Sequence, residues 1–330
     1  MCVRNGKATL ARAVESIRQQ TLGAWEYIIV NDGSSDGTTA LLHDYAQQDS
    51  RIRVITLPAT GIPGALNAGL PHCQAPYLAR MDADDYSYPT RLQKQVEYLE
   101  AHPEIDIVSS QVRHAGDPDT QQGYARHIDW LNELITPEEH YRARFQDQPL
   151  ANPAALLRRS VFEQVGPYAE GDFPEDYEFW LRCLHAGHRM AKLPEVLLDW
   201  NDLPTRATRT LDMYQDLAFH KVKADYWARW AQRRWGAANA LPLYIWGTGK
   251  HVRRKSATIM EQGWPPTGYI DVTDREVYRG KPVMHYTQLG QLTPPFHVLV
   301  YVAQREAKAE ILQYVEKLGW TTGHEYTMMV

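Results

Sequence analysis

The stretch "YLARMDADDYSYPTRLQKQ", residues 77–95, decides how this chain is read. An apolar run, Tyr77 to Met81, leads straight into three aspartates, Asp82, Asp84 and Asp85. Each carboxylate raises the cost of ionising its neighbours. A solvated turn tolerates that crowding, whereas a cleft needs a cation. If the backbone stays extended, Asp82 and Asp84 point to one side and Asp85 to the other. Two carboxylates on one side form a hard oxygen site suited to magnesium or manganese. Magnesium completes such a shell with substrate phosphates, so the stretch predicts a phosphorylated ligand. The plainer alternative is an acidic surface turn.

Working outward, the first half of the chain alternates helix-like and strand-like segments. Leu10, Val14 and Ile17 have helical spacing. "EYIIV" (26–30) is a short β-rich run that stops at the turn signal "NDGSSDGT". Asp36 sits where an N-cap belongs, ahead of a helix carrying Leu41, Leu42 and Tyr45. "RIRVITL" reads as a strand, "IPGALNAGL" as a short helix and "YLARM" as the next strand. Pro89 opens a helix with Leu92, Val96 and Leu99 on one face, and "IDIVSS" is strand-like. This order predicts an α/β fold with a mainly parallel sheet flanked by helices. Ligands of such sheets bind beyond the carboxyl ends of the strands, where both "NDGSSD" and "DADD" fall. Between Gly123 and Leu150 the pattern loosens, with a helix near "PEEHYRARF". "PEDYEFWLRCLHAG" is a clear helix, opened by Pro174 and acids and stopped by Gly187.

The chain has 330 residues and a formal charge of -5 with both signs mixed. That length accommodates two cores, and the charge argues against general nucleic-acid binding. Cys2, Cys73 and Cys183 lie far apart with no C-x-x-C, so neither a zinc site nor a disulfide framework is expected. A reducing, cytoplasmic setting fits best. No apolar run reaches the ~18 residues of a membrane span. The expected division is residues 1–205, a basic and aromatic connector at 206–241, and a second α/β domain at 242–330 in which βα alternation restarts.

Two further sites carry chemistry. Asp32, at the end of a strand, is placed to accept a hydrogen bond from a nucleotide base, although a strand followed by an Asp-Gly turn explains the same residues. Asp176, with Glu175 beside it, lies in the first turn of a helix whose dipole would hold it ionised, as a general base must be. The same dipole explains acids there on structural grounds alone.

Together these segments resemble the family 2 glycosyltransferases of GT-A nucleotide-sugar-binding fold. "MCVRNG" is similar to that family's P-x-x-N-like turn and "VNDGSSDGT" to its V-D-D-G-S-like turn. "RMDADDYSYPTRLQKQ" is similar to its D-x-D segment, and "RRSVFEQVGPY" and "EDYEFWLR" follow in order. The resemblance spans residues 1 to about 200. It implies an inverting transfer of sugar from a nucleotide-diphosphate sugar, UDP-linked in the first instance, to a hydroxyl of a saccharide or lipid-linked acceptor, in bacterial cell-surface polysaccharide synthesis. It implies a divalent metal, Mn or Mg, at Asp84 with Asp82 as partner. It also implies base contact by Asp32, general-base action by Asp176, and donor contacts from Val3, Arg4 and Asn5. Arg206 and Arg209 are candidates to clamp the diphosphate. Cys2, Arg4 and Asn31 depart from the family pattern, which leaves the nucleotide open.

In the C-terminal part, "LYIWGTGKHV" gives a strand, a turn with Gly247 and Gly249, and a helix, and Asp271 ends the next strand. This region resembles the small Rossmann-like domain that opens bacterial sugar acetyltransferases. A nucleotide loop, or a packing or homodimerisation domain, is expected. Val252 at the third glycine position weakens an NAD-dependent oxidoreductase as the alternative. A second alternative is a non-catalytic protein that senses nucleotide sugar. The connector's Lys221, Lys223, Arg229, Arg233 and Arg234, among Tyr226, Trp227, Trp230 and Trp235, could lie on an anionic membrane surface. Packing of the stripe Phe219, Val222, Tyr226, Trp230 is the favoured reading. Finally, "MCVR" is too short for a central strand of ~5–6 residues. The first strand is therefore expected to be truncated, with the natural chain starting upstream and Met1 to Arg4 extended between "EYIIV" and "YLARM".

Overall fold

In the computed structural model, which describes residues 1–116, 121–203 and 211–330, the chain divides into two units. The first comprises Met1–Tyr141 and Pro149–Leu211, the second Arg142–Gln148 and Asp212–Val330.

The first unit begins with β1 (Cys2–Val3), which runs parallel to β2 (Tyr27–Asp32), itself parallel to β3 (Ile52–Leu57). Helix α1 (Leu10–Arg18) precedes β2. Its Leu10, Val14 and Ile17 are buried as their spacing predicts, and each such side chain stabilises the fold by about 1.5–3 kcal/mol. All six residues of β2 are buried, the signature of a parallel strand covered on both faces. Helices α2 (Thr38–Gln48) and α3 (Gly61–Gly69) follow β2 and β3. The next elements are β4 (Tyr77–Ala79), β5 (Tyr86–Ser87), α4 (Arg91–Ala101), β6 (Ile107–His114), α5 (Gln122–Glu133), α6 (Pro137–Ala143), β7 (Leu156–Arg158), α7 (Arg159–Val165), α8 (Glu175–Ala186) and β8 (Met190–Trp200). They include a second sheet of order β4-β7-β6-β8-β5, in which β6 and β8 are parallel, β7 is antiparallel to β4 and β6, and β5 is antiparallel to β8.

Two local expectations are corrected. The strand at residue 77 stops at Ala79, two residues short of Met81. β1 pairs with β2 alone among the sheets described. The Met1 ammonium donates to the Ile28 carbonyl at 3.0 Å. A cavity of about 70 Å³ opens beside it, bounded by Ile28 and Val30 on one side and Leu78 and Ala79 on the other.

A buried lysine in β8 carries a stability prediction. Lys192 is 1% exposed and donates to the Leu131 carbonyl. Burial lowers its pKa to about 7, against the opposing pull of Glu139. The adjacent His140 is lowered to about 3, first by burial and then by the Lys192 charge. The folded pKa of Lys192 lies below its unfolded value of 10.5. Between about pH 7 and 10.5 the unfolded chain therefore holds a proton that the folded one has lost. Stability thus rises with pH through that window, and below it the folded state bears the full cost of a buried ammonium. Lys192→Met should stabilise the protein near neutral pH by about 2–4 kcal/mol and flatten the rise. Urea midpoints of both proteins from pH 7 to 10 test this, and parallel slopes would exclude it. His140 titrates below the window.

The second unit contains α9 (Asp216–Trp235), β9 (Leu243–Trp246), α10 (Lys250–Glu261), β10 (Gly268–Asp271), β11 (Val277–Tyr278), β12 (Lys281–His285), β13 (His297–Val300), α11 (Arg305–Lys317) and β14 (Tyr326–Met328). Its sheet order is β11-β12-β10-β9-β13-β14, parallel except at β11. Helix α9 spans much of the expected connector and clusters with this unit. Val222, Tyr226 and Trp227 are buried. The rings of Trp227, Trp230 and Trp235 gather around buried His297 at 5.8, 5.9 and 4.7 Å. Lys223, one of the cations of the membrane-surface alternative, is 4% exposed and donates to the Gln146 carbonyl. Among the described residues no helix is long and apolar enough to cross a membrane.

Candidate functional site

The acidic segment between β4 and β5 separates its carboxylates. Asp82 and Asp84 are half-buried, whereas Asp85 is 1% exposed. Asp85 Oδ1 accepts the Asn201 main-chain N–H at 2.8 Å, and the Asn201 side-chain amide donates to the Asp84 carbonyl. The inward aspartate thereby ties the loop to the end of β8, and the other two carry its remaining acidic side chains. The cation that the crowding demanded is internal. Arg80, 8% exposed, places Nη2 2.8 Å from Asp82 Oδ1. Burial opposes the charge on Arg80, but Asp82 and, further off, Glu175 outweigh it and raise its pKa. A second guanidinium, Arg91, is buried beneath the loop.

The first two turns lock to each other. Asn5, at φ 55° in the left-handed region that asparagine tolerates, donates its N–H to Ser34 Oγ at 2.9 Å and accepts the Ser35 N–H at 2.8 Å. The Gly6 N–H reaches Thr38 Oγ1 and the Lys7 N–H reaches Asp36, both at 3.0 Å. Asp36 also receives the Thr38 N–H at 3.0 Å, but the N-cap position of α2 is Gly37, at φ 94°, so Asp36 lies one residue ahead of the place its sequence position predicted. Val3 is buried at the base of the turn and Arg4 is exposed. Asp32 is 5% exposed, and its carboxylate accepts the N–H groups of Thr60 and Gly61 at 2.6 and 3.1 Å. It thus satisfies two otherwise orphan donors at the start of α3. This tether was not legible from its own strand, because the partners lie 28 and 29 residues on.

Helix α8 presents Glu175 and Asp176 in its first turn, Glu175 at 2% exposure and Asp176 half-buried, with Asp176 Oδ1 accepting the Tyr177 N–H at 2.7 Å. The loop before α8 is fastened by Asn67, whose amide exchanges hydrogen bonds of 2.8 and 2.9 Å with the Tyr168 backbone. Burial, and then the charges of Glu175 and Asp176, raise the Tyr168 phenol against the pull of Arg80. Tyr168 therefore lies within electrostatic reach of both the acidic loop's arginine and the start of α8. Neither Asn67 nor Tyr168 was marked by any charge pattern in the sequence.

Among the described residues no three His, Cys, Asp or Glu side chains form an all-protein metal cage. Magnesium and manganese do not require one. Magnesium is bound through one or two carboxylates, with substrate phosphates and water completing the shell. Asp84 and Asp82 fit that donor set, Asp82 with one oxygen already held by Arg80. Arg206 and Arg209 lie outside the described residues. In the second unit, Gly247 has φ 111°, Gly249 is the residue before α10, and Thr248 donates to Asp271 Oδ2 at 2.5 Å. The turn after β9 and the end of β10 thus close on each other.

The model of the family described as glycosyl transferase family 2 matches residues 1–166. The amylovoran biosynthesis glycosyltransferase AmsE of Erwinia amylovora is 33% identical over 190 residues, which are 57% of this chain and 69% of AmsE. The O-antigen biosynthesis glycosyltransferase WbnJ of Escherichia coli is 28% identical over 217 residues, 64% of this chain and 81% of WbnJ. Among solved structures, S. aureus TarS 1–349 in complex with UDP-GlcNAc is similar with a TM-score of 0.53 at 13% identity, covering 79% of this chain and 87% of that one. The chain spans 42% of a longer TarS structure. This last likeness concerns the fold alone: an α/β arrangement of the GT-A kind.

Proposed function

Because the chain belongs to glycosyl transferase family 2, we propose that it transfers a sugar, with inversion, from a nucleotide-diphosphate sugar to a hydroxyl of a saccharide or lipid-linked acceptor. The observation that carries this reading is the division of the acidic loop into an inward aspartate, Asp85, that anchors it and two half-buried aspartates, of which Asp82 is backed by buried Arg80. A solvated surface turn needs neither the anchor nor the buried cation.

The locked turns around Asn5 and Ser34 offer a rigid ledge for the nucleoside, with Val3, Arg4 and Asp32 at its edges. Asp84 and Asp82 would hold a divalent cation, Mn or Mg. Bound there, the cation supplies positive charge against the departing diphosphate. Asp176 would accept the proton of the acceptor hydroxyl as that oxygen attacks the anomeric carbon. One displacement from the face opposite the diphosphate inverts the anomeric centre. The relatives' roles, in amylovoran and O-antigen biosynthesis, and the UDP-GlcNAc in the TarS structure support a UDP-sugar donor and a polysaccharide product.

A panel of nucleotide sugars, each assayed for hydrolysis with and without manganese, tests the proposal. Metal-dependent release of one nucleotide diphosphate is the expected outcome. Binding without any turnover, across the panel and with acceptors added, would turn the reading into that of a nucleotide-sugar sensor.

A further inference from the structure

Arg91, in the first turn of α4, is 0% exposed, yet its hydrogen bonds go to no carboxylate. Nε donates to Ser87 Oγ at 2.7 Å. Nη1 donates to the carbonyls of Pro153 at 2.7 Å and Arg80 at 3.2 Å, and Nη2 to the Arg80 carbonyl at 3.3 Å. Arg80 and Ser87 are the two ends of the loop that carries Asp82, Asp84 and Asp85. One planar fork therefore spans the chord of that loop and pins it to the 3-10 turn Asn152–Ala154.

The far end is braced again from α1. The Ser87 N–H donates to Ser16 Oγ at 3.1 Å, and Gln20 Nε2 donates to Ser87 Oγ at 3.1 Å and to the Tyr88 carbonyl at 2.8 Å. Taking a guanidinium out of water without a paired carboxylate is costly, and an apolar side chain of similar volume commonly serves stability as well or better. What such a side chain cannot do is hold two separated backbone points at a fixed distance. Lysine cannot either, since its ammonium is a point donor on a flexible stem.

We propose that Arg91 is a positioning residue for the metal. It fixes the ends of the Arg80–Ser87 loop so that Asp82 and Asp84 keep the relation that a divalent cation requires. The proposal rests on the reading of Asp84 as a metal ligand. Ser87 and Arg91 of the sequence motif then have a physical role in holding the metal loop.

The test is a titration of the full chain with Mn2+ in the presence of UDP, followed by the electron paramagnetic resonance of free Mn2+, alongside thermal unfolding. Arg91→Lys should weaken Mn2+ binding about 10–100-fold, the usual cost of losing a group that orients a metal ligand. Gln95→Leu is the control. Gln95 sits one turn on, equally buried, and donates to the Val108 and Ala154 carbonyls without touching the loop. It should lower the unfolding temperature and leave Mn2+ affinity unchanged. Wild-type affinity in Arg91→Lys, or an equal loss in Gln95→Leu, would overturn the proposal. If Arg91→Lys fails to fold, Ser87→Ala decides. It removes one end of the clamp, so weakened Mn2+ binding supports the proposal and unchanged binding overturns it. A wild-type chain that binds no Mn2+ with UDP would remove the metal reading itself. Wild-type binding with unchanged Arg91→Lys would remove only Arg91.

Discussion

In the Asp84→Asn variant, manganese-dependent turnover of the donor is expected to fall by at least about 10²–10³-fold, the scale on which the loss of one charge-stabilising group is felt. Asparagine keeps the shape and volume of the side chain and removes the charge that holds a cation. The fold should survive, because the loop is anchored through Asp85 and through the Asp84 main-chain carbonyl, which the substitution leaves in place. Unfolding temperature and UDP binding without metal should therefore stay near wild type while metal-dependent hydrolysis disappears. Turnover close to wild type with manganese would take Asp84 out of the metal site.

Asp176→Asn should separate binding from chemistry. Loss of a general base typically costs 10²–10⁴-fold in rate. Donor affinity, which does not depend on that proton transfer, should hold. The Tyr177 N–H that Asp176 accepts can still be taken by the asparagine carbonyl, so the first turn of α8 should persist. A collapse of donor affinity with an unchanged rate per bound donor would make Asp176 a binding residue instead.

The parts of the fold legible in the sequence are those where local chemistry and tertiary demand agree. The spacing of Leu10, Val14 and Ile17, the run 27–30 ahead of an Asp-Gly turn, and the acids that open α8 each specify their element without help. The long strand β8 was not legible, because Pro194 interrupts its apolar pattern. There the ladder with β6 shifts register, so Pro194 and Glu195 bulge to solvent, pairing resumes at Val196 opposite Gln111, and a second shift passes Leu197 before Leu198. Helix α5 was missed for a different reason. Tyr124, Ile128 and Leu131 have helical spacing, but charged and histidine neighbours surround them and the residue before the helix, Gln121, makes no side-chain cap.

At the candidate site the aspartates were legible and their supports were not. Three carboxylates in four residues announce a need for a cation, and Arg80 stands two residues away from Asp82. The contact between Arg91 and the Arg80 carbonyl joins residues 11 apart through a turn, and no periodicity encodes that. The tether of Asp32 to the start of α3 and the grip of Asn67 on Tyr168 are likewise products of the folded chain.

The indoles around His297 give the second unit its own optical signal. Six of the ten tryptophans lie in that unit. Trp230 and Trp235 stand 5.0 Å apart, nearly perpendicular, and Trp227 and Trp264 5.4 Å apart in the same relation. Rings held this close in a fixed chiral arrangement couple their transitions, and the resulting near-ultraviolet circular dichroism vanishes when side-chain packing is lost. Burial keeps His297 neutral down to about pH 3, so above that it adds no protonated imidazole to quench the neighbouring indoles. Loss of the coupled-indole part of the near-ultraviolet spectrum should therefore mark loss of packing in the second unit, while the aspartate-bearing unit is followed by nucleotide and metal binding.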